Sequence, residues 1–408
     1  MDGAMRYILI VLLFCLTVQA YAGVELGSVQ ELYDLHDSRN NWLSLPRWKA
    51  ASVGDTVWAF PCQHGPLYDQ WLISTDSGGS YSQVQGEIDA GDYVSDHAGF
   101  WYAGGVHAGF PRSSFDYVTY RHIASPANNA TDREALDDLT DADFNPRVAV
   151  CAYDQSHVWL VARWDNDSLT WWNTTDRFAA DTSSGKVRDI SRQSVDSLRI
   201  GMVLGGSNNP ILVVLIYGSG YYYYTWNSTD FTAGNDSAIV EAAGLAATSR
   251  GFTINYLDGK LHLLYGHPYN TDSTILVHYV QDGVGGWDST RVSRLTALNS
   301  YFGEGSGCAP ITCAKNDTLV CFYNIGDRFV MKQWRAGSWG ADSTAITPAD
   351  DSAKYLQCPP NVTNNYIPVF WSDYKSGRMG YSRKLTFTPD SSDVVVKLGK
   401  CKLGKVKF

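Results

Sequence analysis

A repeat constrains this chain more than any other feature. Short apolar, β-rich runs end in a polar turn and resume. Turns at Asp76, Asp176, Asp230, Asp282 and Arg335 stand about two, one, one and one periods of roughly 50 residues apart. Further members fall near Ser125, after the strand-like run 115–124, and near Thr386, after 378–385, which makes seven units. A unit of that length holds four short strands and cannot bury its apolar face alone, so the units must pack on one another. The fullest turn is Ser74-Thr75-Asp76-Ser77-Gly78-Gly79-Ser80-Tyr81, preceded by Trp71-Leu72-Ile73. In it Asp76 can accept backbone N–H groups and Gly78 and Gly79 permit positive φ. Ser80 and Tyr81 then start the returning strand.

That stretch reads Ser-x-Asp-x-Gly-x-Ser-aromatic and resembles the Asp-box of the sialidase-like (BNR-repeat) β-propellers, whose hairpins recur once per blade. Its structural residues here are Ser74, Asp76, Gly78, Ser80 and Tyr81. The weaker echoes are 174–176, 228–230, 280–282 leading to Gly285-Gly286-Trp287, and 335–339. The resemblance covers most of residues 45–388 and implies an all-β fold: one propeller of seven four-stranded blades, six being the alternative, closed by an N-terminal strand. Composition agrees, with 25 Tyr, 14 Trp and 37 Gly against 5 Met.

Residues 1–22 read as a secretory signal peptide: Arg6, then the apolar run 7–18, then Ala20-Tyr21-Ala22 as a small-x-small cleavage site. The run is too short for a membrane anchor, and no other span appears. Export after Ala22 gives a secreted, extracellular or periplasmic chain with no integral membrane span. The mature chain then holds Cys62, Cys151, Cys308, Cys313, Cys321, Cys358 and Cys401, an odd number with no Cys-x-x-Cys. Cys308, Cys313 and Cys321 are close enough in sequence to bridge within one blade, and Cys151 reads as a buried thiol. A formal charge of −10 argues against nucleic acid or an anionic membrane as partner.

In chain order, 23–44 is a polar lead-in, with 42–45 as the possible closing strand and 45–388 as the propeller. Blade one takes strands at 47–53, 56–61, 70–75 and 81–88. Blade two takes 93–97, 100–104 and 115–124, with 125–140 a loop carrying a helical turn at 133–139. Blades three to six follow at 147–191, 198–243, 252–295 and 310–346. Blade seven has 355–359, 366–371 and 379–387 and lacks a fourth strand of its own, which fits closure by the N-terminus. Residues 389–408 are a Lys-rich tail, expected to be a solvated terminus.

In the sialidase-like families the ligand lies at the axis, on the face opposite the Asp-box turns. The resemblance therefore directs attention to the entrances of inner strands. Arg147, Arg199 and Arg250 stand at equivalent entrances, and converging guanidinium groups would clamp an acidic sugar. By the same resemblance Tyr301 and Glu304 would be the nucleophile pair, and Asp96 or Asp143 the acid/base. The family's Arg-Ile-Pro signature is absent: Leu198-Arg199-Ile200-Gly201 lacks the Pro, and Tyr366-Ile367-Pro368 lacks the Arg. For plain binding, His64, Tyr68, His107, Trp164, Tyr217, Tyr269 and Tyr374 can stack on sugar rings and bond hydroxyls. His262, His267 and His278 lack metal-ligand spacing, and no cofactor motif occurs. The sequence thus supports a monomeric glycan-recognising propeller. An exo-sialidase-like glycoside hydrolase and a structural or protein-binding module are the alternatives.

Overall fold

A computed structural model describes residues 24–34, 50–60, 71–84, 99–111, 117–123, 132–138, 148–164, 168–179, 182–189, 198–216, 220–233, 239–241, 252–270, 273–282, 286–295, 310–325, 328–343, 353–373 and 379–387. Its strands form seven separate sheets, and the order within each follows the chain. β1 (Val24–Asp34) comes first and is used last. Blade one is β2 (Ala50–Val53), β3 (Thr56–Ala59), β4 (Trp71–Ser74) and β5 (Ser82–Val84). Blade two is β6 (Gly99–Tyr102), β7 (Val106–Pro111), β8 (Tyr117–Ile123) and β9 (Asp132–Asp138). Blade three is β10 (Val148–Ala152), β11 (Val158–Trp164), β12 (Ser168–Thr174) and β13 (Thr182–Asp189). Blade four is β14 (Leu198–Leu204), β15 (Pro210–Ile216), β16 (Gly220–Trp226) and β17 (Phe231–Ala233), with β18 (Val240–Glu241) also on β16.

Blade five is β19 (Phe252–Leu257), β20 (Lys260–Asn270), β21 (Ser273–Gln281) and β22 (Trp287–Leu295). Blade six is β23 (Ile311–Lys315), β24 (Thr318–Ile325), β25 (Arg328–Arg335) and β26 (Ser338–Trp339). Blade seven starts with β27 (Ala353–Gln357); after β28 (Asn361–Val362) come β29 (Tyr366–Asp373) and β30 (Met379–Phe387). The fourth strand of blade seven is β1, antiparallel to β30 from Val24↔Phe387 to Asp34↔Met379. The chain is a seven-bladed β-propeller whose ring is sealed by strand pairing between its two ends.

Inner strands of successive blades pack side by side around the axis. Every residue of β10 is buried, as are Leu198 to Val203 in β14. Continuous apolar runs form because these strands have a sheet in front, behind and beside them. Between blades, aromatic rings interlock. Phe60 stacks on Phe100 at 4.0 Å between blades one and two, and Trp171 meets Trp226 edge-on at 4.8 Å between blades three and four.

Three sequence expectations are corrected. The closing strand is 24–34; residues 42–45 lie outside the described residues. β1 has one sheet neighbour only, so it tolerates Glu25, Gly27 and Glu31, and its polarity disguised it. In blade two, 132–138 is a strand rather than a helical turn, paired with β8 from Tyr117↔Asp138 to His122↔Asp132. The inner strand of that blade is β6, so the run at 100–104 serves one position earlier than expected, β7 is a strand the reading missed, and 115–124 keeps its third place as β8; 93–97 lies outside the described residues. Finally, Thr386 is not at a turn: it pairs with both Tyr366 and Glu25 within the sheet.

Candidate functional site

Within each meander the A–B and C–D turns lie on one face, and the B–C and D–A connections lie on the other. The fullest hairpin sits on the first of these. Ser74 Oγ donates to Asp76 Oδ1 at 2.6 Å and accepts from Gly78 N–H at 2.8 Å. Asp76 further accepts the N–H groups of Gly79 and Ser80, each at 2.9 Å, and Ser80 Oγ at 2.8 Å. The Ser74 hydroxyl is the main reason, with Ser80 and Gly79 adding to it, that the Asp76 carboxyl titrates at about 2. Gly78 needs its glycine, at φ 82°, with Tyr81 Oη where a Cβ would point. Tyr81 covers the turn and packs edge-on against Phe370 of blade seven.

Blade three builds the same network without glycine. Thr174 Oγ1 donates to Asp176 Oδ1 at 2.7 Å and accepts from Phe178 N–H at 2.9 Å, and Ala179 N–H reaches Asp176 Oδ1 at 3.1 Å. Arg177 and Phe178 both adopt φ 63°, where Ser77 and Gly78 stand in blade one. The strain is carried by the buried Phe178 ring, packed edge-on against Tyr120 of blade two. The third echo differs. Asn227 Oδ1 accepts from the N–H groups of Thr229 and Asp230, while Asp230 takes the Trp171 indole N–H at 2.7 Å. At Asp282 the loop closes back through Gly286 N–H, 2.9 Å from Asp282 Oδ1. At 335–338 the turn is a two-residue hairpin with Ala336 at φ 50° and Gly337 at φ 83°. These residues shape turns.

On the opposite face the expected residues divide. Arg147, Arg250, Tyr301, Glu304, Asp96, Asp143, His64, Tyr68, Tyr217 and Tyr374 lie outside the described residues. Arg199, second in β14, is at the entrance face but 3% exposed, and its Nη1 donates to Leu198 O at 2.9 Å. Trp164 ends β11 and Tyr269 falls one residue before the end of β20, so both backbones reach this face. His107 does not: it is second in β7, at the turn side. Its Nδ1 contacts Tyr120 Oη at 2.7 Å and its Nε2 contacts Ala103 O at 3.1 Å. Burial lowers its pKa to about 4, so it is a neutral structural ring between blades two and three.

Near the axis, neighbouring inner strands are tied to one another. Thr253 Oγ1 of β19 meets Thr312 Oγ1 of β23 at 2.8 Å, and Pro360 O accepts from both Ala314 N–H and Asn255 Nδ2 at 2.9 Å. These bonds join blade five to blade six and to the segment after β27.

Between blades three and four lies a contact the sequence reading missed. Arg188, next to last in β13, lies with its guanidinium 4.3 Å from the centre of the Tyr222 ring in β16. Its Nη1 donates to Tyr224 Oη at 3.1 Å. Partial burial works against its charge, but the two tyrosines outweigh it and the Arg188 pKa is raised. Arg188 and Tyr222 are both half-buried. The end of a D strand and the start of a C strand both belong to the entrance face, so this pair stands on the side of Arg199. The signal was present as the alternating Tyr221–Tyr224 run, which puts Tyr222 and Tyr224 on one side; the arginine opposite comes from another blade. Among the described residues no three His, Cys, Asp or Glu side chains are placed to hold a metal ion, and no helix is long and apolar enough to cross a membrane.

No protein-family model matches the chain, and no curated protein matches it in sequence. Solved structures do match in shape. The BP39L lectin from Burkholderia pseudomallei superposes with a TM-score of 0.59 at 11% identity, over 84% of this chain and 98% of that one. The polysaccharide lyase Uly1 gives 0.48 at 10% identity, over 85% and 91%. A Trypanosoma rangeli sialidase in complex with the inhibitor DANA gives 0.40 at 9%, over 88% of this chain and 59% of that one. The first of these likenesses bears on architecture alone: the chain shares its fold with that lectin.

Proposed function

We propose that this chain is an exported, carbohydrate-binding β-propeller that meets its glycan on the entrance face. The observation that carries the reading is Arg188 held over Tyr222 and bonded to Tyr224 between blades three and four. An aromatic ring offers a flat apolar surface to the C–H face of a sugar. The guanidinium offers five fixed N–H donors, more than Tyr224 consumes, for hydroxyl or carboxylate oxygens. The fold shared with a lectin is consistent with this, as is the leader-like pattern of residues 1–22.

Screening the purified chain on an immobilised glycan array tests the reading. Retention of a defined set of glycans, weakened at least about tenfold by Arg188→Ala with the thermal midpoint held, is the expected result; tenfold equals about 1.4 kcal/mol. Absence of any retained glycan would overturn it. Release of fluorophore from a fluorogenic sialoside would instead favour the hydrolase alternative.

A further inference from the structure

Four of the cysteines lie among the described residues, Cys151, Cys313, Cys321 and Cys358, all buried. Proximity in sequence favours a Cys313–Cys321 bridge, and the strand register forbids it. β23 and β24 pair Cys313 with Val320 and Thr312 with Cys321, so the two thiols leave opposite faces of blade six. Cys313 packs in the layer that contains Val320 and Phe322, and Cys321 in the layer that contains Leu319 and Tyr323.

Cys313 has a different neighbour. Beyond β27, the inner strand of blade seven bends toward blade six, and β28 pairs in parallel with β23 at Ala314↔Asn361 and Lys315↔Val362. The bend brings in Cys358, a free thiol in this structure that lies beside the equally free Cys313. Cys358 Sγ also reaches Thr312 O at 3.6 Å, and Cys313 Sγ reaches Ala314 O at 3.6 Å, so both side chains hang on the same short strand. Neither is exposed, and both belong to one apolar layer. The backbone between them is pinned by Ala314 N–H to Pro360 O at 2.9 Å.

We propose that Cys313 and Cys358 are joined by a disulfide in the mature protein, a covalent clasp from blade six to blade seven. In the reaction the two thiols lose two protons and two electrons, and a new S–S bond forms. A disulfide oxidant, either a low-molecular-weight disulfide or a thiol–disulfide oxidoreductase, accepts the electrons and becomes two thiols. Burial pushes the Cys358 thiol well above its usual range, so exchange belongs to the stage before blade seven docks, when the thiolate is accessible. The clasp then closes a loop spanning a whole blade, on the inner edge of the sheet whose outer edge is sealed by β1. The oxidising compartment it requires rests on the export reading above.

Peptide mapping of the full chain, recovered from an oxidising compartment and alkylated under denaturing conditions without reductant, tests the clasp. A cross-linked pair of peptides containing Cys313 and Cys358 is expected, retained in Cys321→Ser and lost in Cys358→Ser. The same mapping is applied to chain made in a reducing cytosol and exposed to oxidised glutathione in mild denaturant. The cross-link appearing only there would keep the pairing and count against export. Free Cys313 and Cys358 in both preparations, or either one linked to another cysteine, would overturn it.

Discussion

Trp339 of blade six donates its indole N–H to Nδ1 of His278 in blade five, 3.1 Å away. His278 Nε2 lies 2.9 Å from His262 Nδ1, and His262 Nε2 lies 3.3 Å from Leu257 O. One proton assignment satisfies the whole line: each histidine is neutral and carries its hydrogen on Nε2. The two rings stack, and Trp334 of blade six meets both edge-on. The seam between blades five and six is therefore built for uncharged imidazoles.

Acid should open that seam. Burial lowers His262 to about 4 and His278 to about 2, both below the value of about 6.5 expected once unfolded. The unfolded chain therefore binds the extra protons. The stability these rings confer is complete above pH 6.5 and is lost as pH falls toward 4, by up to about 1.4 kcal/mol per pH unit for each ring. Urea midpoints measured from pH 7.5 to 4.5 should fall, and His278→Gln should flatten the profile. A profile unchanged by the substitution would contradict this.

The two box-like hairpins make matching predictions. Asp76→Ala removes four hydrogen-bond acceptances at one exposed turn and should cost about 1–2 kcal/mol. Asp176→Ala should cost about as much, despite the lack of glycine in its turn. The depressed Asp76 carboxyl adds stability that is present above pH 3.8 and disappears as pH falls toward 2. Thermal midpoints of both variants at pH 7 check the first pair; loss of the wild-type advantage over Asp76→Ala in acid checks the second.

Some of this was legible beforehand and some was not, for physical reasons. The hairpin at Ser74 could be read because glycine advertises a left-handed backbone. Its copy at Thr174 read only as a weaker echo, because Arg177 and Phe178 adopt that backbone without glycine and tertiary packing of the Phe178 ring sustains it. Inner strands such as Pro210–Ile216 announced themselves as unbroken apolar runs. Edge strands did not, since β1 and β9 need satisfy one neighbour only and carry acidic residues. The candidate ligand groups were hardest: Arg188 and Tyr222 come from different blades, and no local pattern brings them together.

At the blade-six hairpin, Ala336 occupies φ 50°, a conformation that costs an L-residue with a Cβ about 1 kcal/mol. Ala336→Gly should therefore raise the unfolding free energy by up to about 1 kcal/mol, since the relief exceeds the added freedom of the unfolded chain. Equilibrium denaturation of this variant beside Gly337→Ala, which should destabilise, measures both signs.

Closure by β1 is tested at Gly27. A Cβ there would sit 2.8 Å from Lys384 O, while Gly27 O accepts from Arg383 Nε at 2.7 Å. Gly27→Val should detach the strand locally and lower the thermal midpoint by several degrees. Hydrogen exchange should quicken in β30 and leave blade four unaltered; equal change in both would argue against a seam at this position.

Val24 and Phe387 are cross-strand partners, about 5 Å apart, at the end of β30 from which the C–D turns of other blades project. Both residues therefore stand on the face of the C–D turns, opposite the side of Arg188 and Tyr222. A tether, tag or carrier joined directly at either of these two residues would thus pull on the disc from that face and leave the Arg188 side unobstructed.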